Sequence, residues 1–211
     1  MEDRLTNIIV RLPAFLLAII LHELAHGYVA YRLGDDTAKR AGRLTMSPMA
    51  HLDPTGTLVF LVSAWAGVGF GWAKPVPVVT ANLRNPRRDD ILVSIAGVTA
   101  NLAQAIVWAV LFRLALAAAT AAGGGLAVTL ARFCMIGVEI NVLLMIFNLL
   151  PIPPLDGSHV AVRVFGINDP YVVERMRFIG LIVLFGLLMT GAFNTVWYAV
   201  GDPIVRVMTG M

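Results

Sequence analysis

The apolar positions of this chain gather into long runs instead of stripes, and those runs predict its elements. Leu12 to Tyr31 holds a single charged residue, Glu23. A helix over residues 8–32, rising about 1.5 Å per residue, is long enough to cross a hydrocarbon core of ~30 Å. Residues 91–122 form a second such run, broken only by Asn101, Gln104 and Arg113, and residues 126–150 a third, with Arg132 and Glu139 its only charges. The third helix must end at Pro151-Ile152-Pro153-Pro154, because three prolines cannot sustain the hydrogen-bond ladder. A final span is predicted over 178–200, followed by a short tail. Between the runs, Leu33 to His51, Ala81 to Asp90 and Arg163 to Arg177 are polar connectors. Thr57 to Gly71 is apolar but short and carries Gly67, Gly69 and Gly71, so a re-entrant element over about 57–80 is expected there in place of a full crossing.

Composition turns these runs into a class. Over 211 residues the chain is 58% hydrophobic and only 14% charged, against nearer a quarter charged in soluble domains. The expected fold is an all-α polytopic membrane protein, one integral-membrane domain over 1–211 with about four transmembrane helices and the re-entrant hairpin or β-loop. No small-residue cleavage site follows the first run, so it reads as a retained span and not a signal peptide. The formal net charge is +3, and no basic patch carries interleaved aromatics, so nucleic acid is excluded as a partner. The single cysteine, Cys134, lies in an apolar run and supports neither a disulfide framework nor a thiolate metal site. If 57–71 only dips into the bilayer, the basic residues from Arg32 through Arg88, together with Arg163, Arg175 and Arg177, fall on one side. That is the positive-inside pattern of a multi-pass protein of the cell (inner, cytoplasmic) membrane.

Candidate chemistry is concentrated in the first run. His22-Glu23-Leu24-Ala25-His26 is an H-E-x-x-H pattern, which places two imidazoles one helical turn apart on the same face. Glu23 is then positioned as a general base for a water molecule without ligating the metal. Three ionisable groups in one apolar helix are costly without a bound ion. A catalytic zinc usually takes three protein ligands, and the candidates for the third are Asp156, His51, His159 and Asp53. With a re-entrant 57–71, the later part of the first span and the end of the third share a depth toward the cytoplasm, and Asp156 meets His22 and His26.

Together His22-Glu23-x-x-His26-Gly27 and Asn148-Leu149-Leu150-Pro151-Ile152-Pro153-Pro154-Leu155-Asp156-Gly157 resemble the motifs of the site-2 protease (M50-type) family of intramembrane zinc metalloproteases, in a compact branch without PDZ or CBS domains. The resemblance implies a zinc metalloendopeptidase with one Zn2+ per chain, held by His22, His26 and Asp156, and with Glu23 catalytic. It implies a membrane-spanning protein as substrate, cut as in regulated intramembrane proteolysis. Asn148, Pro151 and Pro153 would seat the substrate backbone. Gly67, Gly69 and Gly71 would belong to a membrane-dipping β-loop on which the unwound substrate pairs as an added strand. Ala96-Gly97-Val98-Thr99-Ala100-Asn101 is similar to the family's G-P-x-x-N pattern, with valine in place of proline. The alternative from another class is a membrane zinc transporter or metal-sensing protein that uses the His-Glu-His face as a transit site.

Overall fold

The computed structural model describes residues 2–65, 71–122, 124–167 and 169–211. Among the described residues, three helices are long and apolar enough to cross a membrane. They are α1 (Glu2–Arg32), α5 (Pro86–Ala122) and α6 (Gly125–Leu149), and the spanning part of α1 begins at Ile9. Short helices α2 (Thr37–Arg40), α3 (Pro48–His51) and α4 (Pro54–Trp65) lie between α1 and α5. After α6 come α7 (Asp156–Val164), α8 (Pro170–Met189), α9 (Ala192–Val196) and α10 (Asp202–Thr209). Among the described residues there is no strand.

Side-chain bonds between the long helices fix their directions. On α1 and α5, His26 pairs with the Val93 carbonyl, His22 with Asn101, and the Ala18 carbonyl with Gln104, so one number rises as the other falls and the two helices are antiparallel. On α1 and α6, Arg11 pairs with Glu139 at 3.3 Å, while Asp156, just beyond the end of α6, meets His22 and His26, so these two run parallel. The connection from Leu33 to Asn85 therefore leaves and returns at the same end of the bundle.

Helix α4 has 12 residues, a rise of about 18 Å that falls short of the ~30 Å core. The chain is back against the first turns of α4 by Gly71 and Trp72. A Cβ on Gly71 would stand 2.5 Å from the Phe60 Cβ and 2.7 Å from the Gly56 carbonyl, and one on Gly56 would collide with the Trp72 backbone. Gly67 and Gly69 of the expected β-loop lie outside the described residues. Residues 71–79 take no helix or strand and are held by bonds from Lys74 N to the His51 carbonyl (2.8 Å) and from Arg43 to the Lys74 carbonyl (2.7 Å).

Small residues set the packing of the bundle, as expected where lipid removes most of the hydrophobic drive between helices. Ala14 and Ala18 of α1 pack on Ile140 of α6. The largest cluster joins Val98, Ala105 and Ala109 of α5 to Val138, Val142 and Ile146 of α6. Gly137 lies flat under the Trp108 indole, which a Cβ there would enter at 2.5 Å.

In the C-terminal part, the run 178–200 is bent. Helix α8 ends at Met189, Gly191 takes φ 70°, and the arm from Ala192 to Thr209 leaves at 77° to α8. Glycine carries that positive φ at no steric cost, and apolarity alone does not report it. The short tail over 201–211 is largely helical. A π-turn over Trp197–Gly201 leads into α10, whose Val205 and Thr209 are buried and whose last carbonyls, Val207 and Met208, accept from Arg113 of α5.

Candidate metal centre

His22 and His26 leave one face of α1, and their Nε2 atoms stand 3.0 Å apart. Asp156 is supplied by the first turn of α7, immediately after the Pro151–Pro154 break that ends α6. Its Oδ2 lies 3.3 Å from each Nε2. Among the described residues, these three form the group of metal-ligating side chains that converges on one point. Gly157 makes the tight reversal possible, since a Cβ there would stand 2.7 Å from the Leu150 carbonyl and closer still to that of Leu149. Ser158 completes the turn by donating to the Leu155 carbonyl from both its amide (3.0 Å) and its hydroxyl (2.6 Å).

Helix α5 decides which nitrogen of each ring is available. A carbonyl can only accept, so the 2.7 Å contact between His26 Nδ1 and the Val93 oxygen puts the proton on Nδ1. Asn101 uses its amide nitrogen to donate to Asn141 Oδ1 at 3.0 Å, which leaves Asn101 Oδ1 to accept from His22 Nδ1 at 2.6 Å. When the rings are neutral, each turns an Nε2 lone pair toward the other and toward Asp156 Oδ2, a buried oxygen that receives no hydrogen bond. Three acceptors facing one another repel unless a cation lies between them. Ligand atoms at 2.0–2.2 Å from a tetrahedral zinc stand about 3.3–3.6 Å apart. The observed 3.0, 3.3 and 3.3 Å are close to that spacing, so the donor set fits a small divalent cation.

Val93, Gly97 and Asn101 are spaced four apart on α5, so the glycine sits between the two bonds to the histidines. A Cβ on Gly97 would stand 2.7 Å from His22 Nε2 and overlap His26 Nε2. Gly97 thus keeps the centre open. Asn101 and Asn141 are both fully buried. As polar residues in apolar helices they read in the sequence as links between helices, and the likeness of Gly97 to Asn101 to a family pattern was the available signal for more.

Glu23 Oε2 accepts from the Val76 amide at 2.7 Å, which ties the carboxylate to segment 71–79. Gly27, the last residue of the motif, lets that segment lie close over α1, because a Cβ there would meet Val76 Cγ1 at 2.8 Å.

The other expected residues are distributed as follows. Asp53 caps α4 by accepting from the Gly56 amide at 2.7 Å. His51 is 2% exposed and points Nε2 at the Thr45 carbonyl, 2.8 Å away. His159 stays outside the triangle, and burial pushes its imidazole below the ordinary value against the pull of Asp90 and Asp156. Asn148 Nδ2 donates to the Leu144 carbonyl of its own helix at 3.0 Å. Pro153 packs its carbonyl against Gly180 of α8, where a side chain could not be accommodated. An opening of about 460 Å³ on the exposed basic surface at the start of α5, lined by Asn85, Pro86, Arg87, Arg88 and Ile91, includes none of the triangle.

Residues 115–191, which contain the Asn148 to Gly157 motif, match the profile of Peptidase family M50. Over 145 residues the chain is 45% identical to "Putative zinc metalloprotease YwhC" of Bacillus subtilis (strain 168), covering 69% of this chain and 64% of that protein. The chain belongs to peptidase family M50. This M50 chain is also 29% identical over 194 residues to "Putative zinc metalloprotease Rip2" of Mycolicibacterium smegmatis, covering 89% of the chain and 69% of that protein. A Rip2 of Mycobacterium tuberculosis (strain H37Rv) is 33% identical over 148 residues, covering 69% of the chain and 53% of that protein. The chain therefore spans roughly half to two thirds of the length of these relatives. No solved structure matches it.

Proposed function

We propose that this chain is an intramembrane zinc endopeptidase that hydrolyses peptide bonds of membrane-spanning proteins, as in regulated intramembrane proteolysis. The observation that carries the reading is the His22, His26 and Asp156 triangle, with both Nε2 lone pairs turned inward inside a bundle of apolar helices. One zinc ion per chain, when bound there, supplies a positive charge that polarises the scissile carbonyl and stabilises negative charge developing on its oxygen.

The chain's own residues do the rest. Glu23 takes a proton from the attacking water and returns it to the leaving amine. Its bond from Val76 N engages one carboxylate oxygen and aims the side chain without neutralising it. Segment 71–79, together with Gly67, Gly69 and Gly71, offers main-chain groups to an unwound substrate, because a helical peptide bond must be extended before it is cut. Asn148, Pro151 and Pro153 seat the substrate from the opposite side. The short α4 and the return of Gly71 to Gly56 support a segment that dips and turns back. In that reading the basic loops are cytoplasmic and the centre lies on that side of the cell membrane.

The test compares membranes holding the wild-type chain or Glu23→Gln, with zinc content measured on the purified proteins. The expected result is one zinc retained in both, and substrate fragments truncated within a span only with wild type. Zinc flux across vesicles that Glu23→Gln abolishes, with no cleavage by either protein, would replace the protease with a transporter.

A further inference from the structure

Beside the metal centre, α1, α3 and α4 enclose a cleft of about 50 Å³, lined almost wholly by apolar groups, among them Phe15, Leu16, Ile19, Phe60 and Trp72. Its one buried ionisable group is His51. The Nε2–H of His51 is committed to the Thr45 carbonyl, so Nδ1 carries a lone pair, and that atom is buried with no hydrogen-bond partner. Buried polar atoms are almost always paired. His51 lines the cleft, and its buried orphan acceptor is one that a ligand's donor can complete.

The cleft lies along α1 from the proposed chemistry. Leu16, Ile19 and Glu23 follow the three- and four-residue spacing of one helix face, so Glu23 lies about 6 Å along α1 from Ile19. The segment that closes the cleft at Trp72 and Ala73 is the one whose Val76 amide holds Glu23. A side chain entering here belongs to a residue close to the bond that Glu23 would act on.

Resting on the endopeptidase reading, we propose that this cleft is a specificity pocket for one short aliphatic side chain of the substrate. His51 Nδ1 accepts a hydrogen bond from the substrate's main-chain N–H beside that residue. A cleft of about 50 Å³ holds more than one water-sized group but is small, which suits a short side chain such as valine or leucine. A lipid acyl chain would suit the walls but brings no donor for Nδ1, whereas an extended peptide brings both.

The test uses the full chain, zinc-loaded and reconstituted in lipid, with a set of transmembrane peptides varied through Ala, Val, Leu and Phe at each position around the cleaved bond. At one position Val and Leu are expected to exceed Phe by at least about tenfold in kcat/KM, the scale of single-methylene discrimination in an apolar pocket. Ile19→Ala should shift the preference at that position alone toward Phe, while the alanine peptide is still cut. A uniform loss across all peptides, or no change of profile, overturns the pocket.

A binding arm keeps the inference separate from catalysis. On Glu23→Gln protein, the valine peptide should bind about tenfold more weakly when His51 is changed to Leu, and His51→Asn, which keeps an acceptor near the Nδ1 position, should restore most of the loss. Unchanged affinity in His51→Leu would mean that Nδ1 is satisfied by water, and would overturn the hydrogen bond. Absence of cleavage by zinc-loaded wild type would count against the endopeptidase reading, and peptide binding would still decide the pocket.

Discussion

Asp35 and Asp156 are carboxylates placed just beyond a long helix, and their surroundings are opposite. Asp35 is fully buried and receives hydrogen bonds from the Thr37 amide (3.1 Å) and hydroxyl, the Val79 amide (2.7 Å) and Asn82 Nδ2 (3.0 Å). Asp156 Oδ2 receives none and faces two imidazole nitrogens whose rings carry their protons on the far side. A carboxylate whose lone pairs are matched by donors of its own chain is complete without a ligand. One aligned with two further acceptors is complete only around a cation. Asp35 ties the loop after α1 to the segment before α5, and Asp156 closes the proposed metal site.

The comparison can be broken most forcefully at the metal. Replacing Asp156, His22 or His26 by alanine removes one of the three proposed ligands, and zinc affinity measured by competition with a chelator should fall by at least about 10⁴-fold, or more than ~5 kcal/mol. Asp35→Ala should leave zinc stoichiometry at one in whatever fraction stays folded. It should lower unfolding stability in detergent by about 3 kcal/mol or more, because several buried donors lose their acceptor together. Zinc loss in Asp35→Ala without a stability change would dissolve the distinction.

Asn101→Ala probes the middle ground, because Asn101 touches a proposed ligand and not the metal. Removing such an orienting partner should weaken zinc by about 10–100-fold, with helicity retained.

A smaller effect separates the two acids by pH. Burial alone would raise the Asp35 carboxyl, but the donors from Thr37, Val79 and Asn82 outweigh it and hold it below the usual carboxylate range. Its folded value is thus below its unfolded value of about 3.9. Its contribution to stability is fully present above that unfolded value and is lost as pH falls through the folded one. Acid denaturation of the wild type below about pH 4 should therefore be steeper than that of Asp35→Asn. The smallest effect belongs to the half-exposed Arg11 and Glu139 pair, whose removal should change stability by no more than about 1 kcal/mol and leave zinc affinity unchanged.

Several of these features were legible in the sequence. The first three long apolar runs each became a long helix, because a backbone in lipid must satisfy its own polar groups and a helix does so locally. The H-E-x-x-H spacing put two imidazoles on one face for the same local reason, and the Pro151 to Asp156 break marked where the third helix had to stop. The bend after Met189 was not legible, because Gly191 in a run of apolar residues permits both a straight helix and a turn. Asn101 and Asn141 were visible only as polar residues in apolar helices. Whether they join two helices or aim a histidine depends on the rotation and register of α5 against α1 and α6.

By itself, then, the sequence determined which segments are helices in a membrane, which faces carry ionisable groups, and that His22, Glu23 and His26 stand together on one turn of α1. Those features depend on residues within one turn or one run of each other. Only the tertiary structure decided the orientation of each ring, the opening that Gly97 leaves beside both histidines, and the contrast between a matched Asp35 and an unmatched Asp156. The two rings are aimed by hydrogen bonds between residues 79 and 67 positions apart, and Asn101 is held by one 40 positions away. Such pairings follow from how helices pack and not from the period of any one of them.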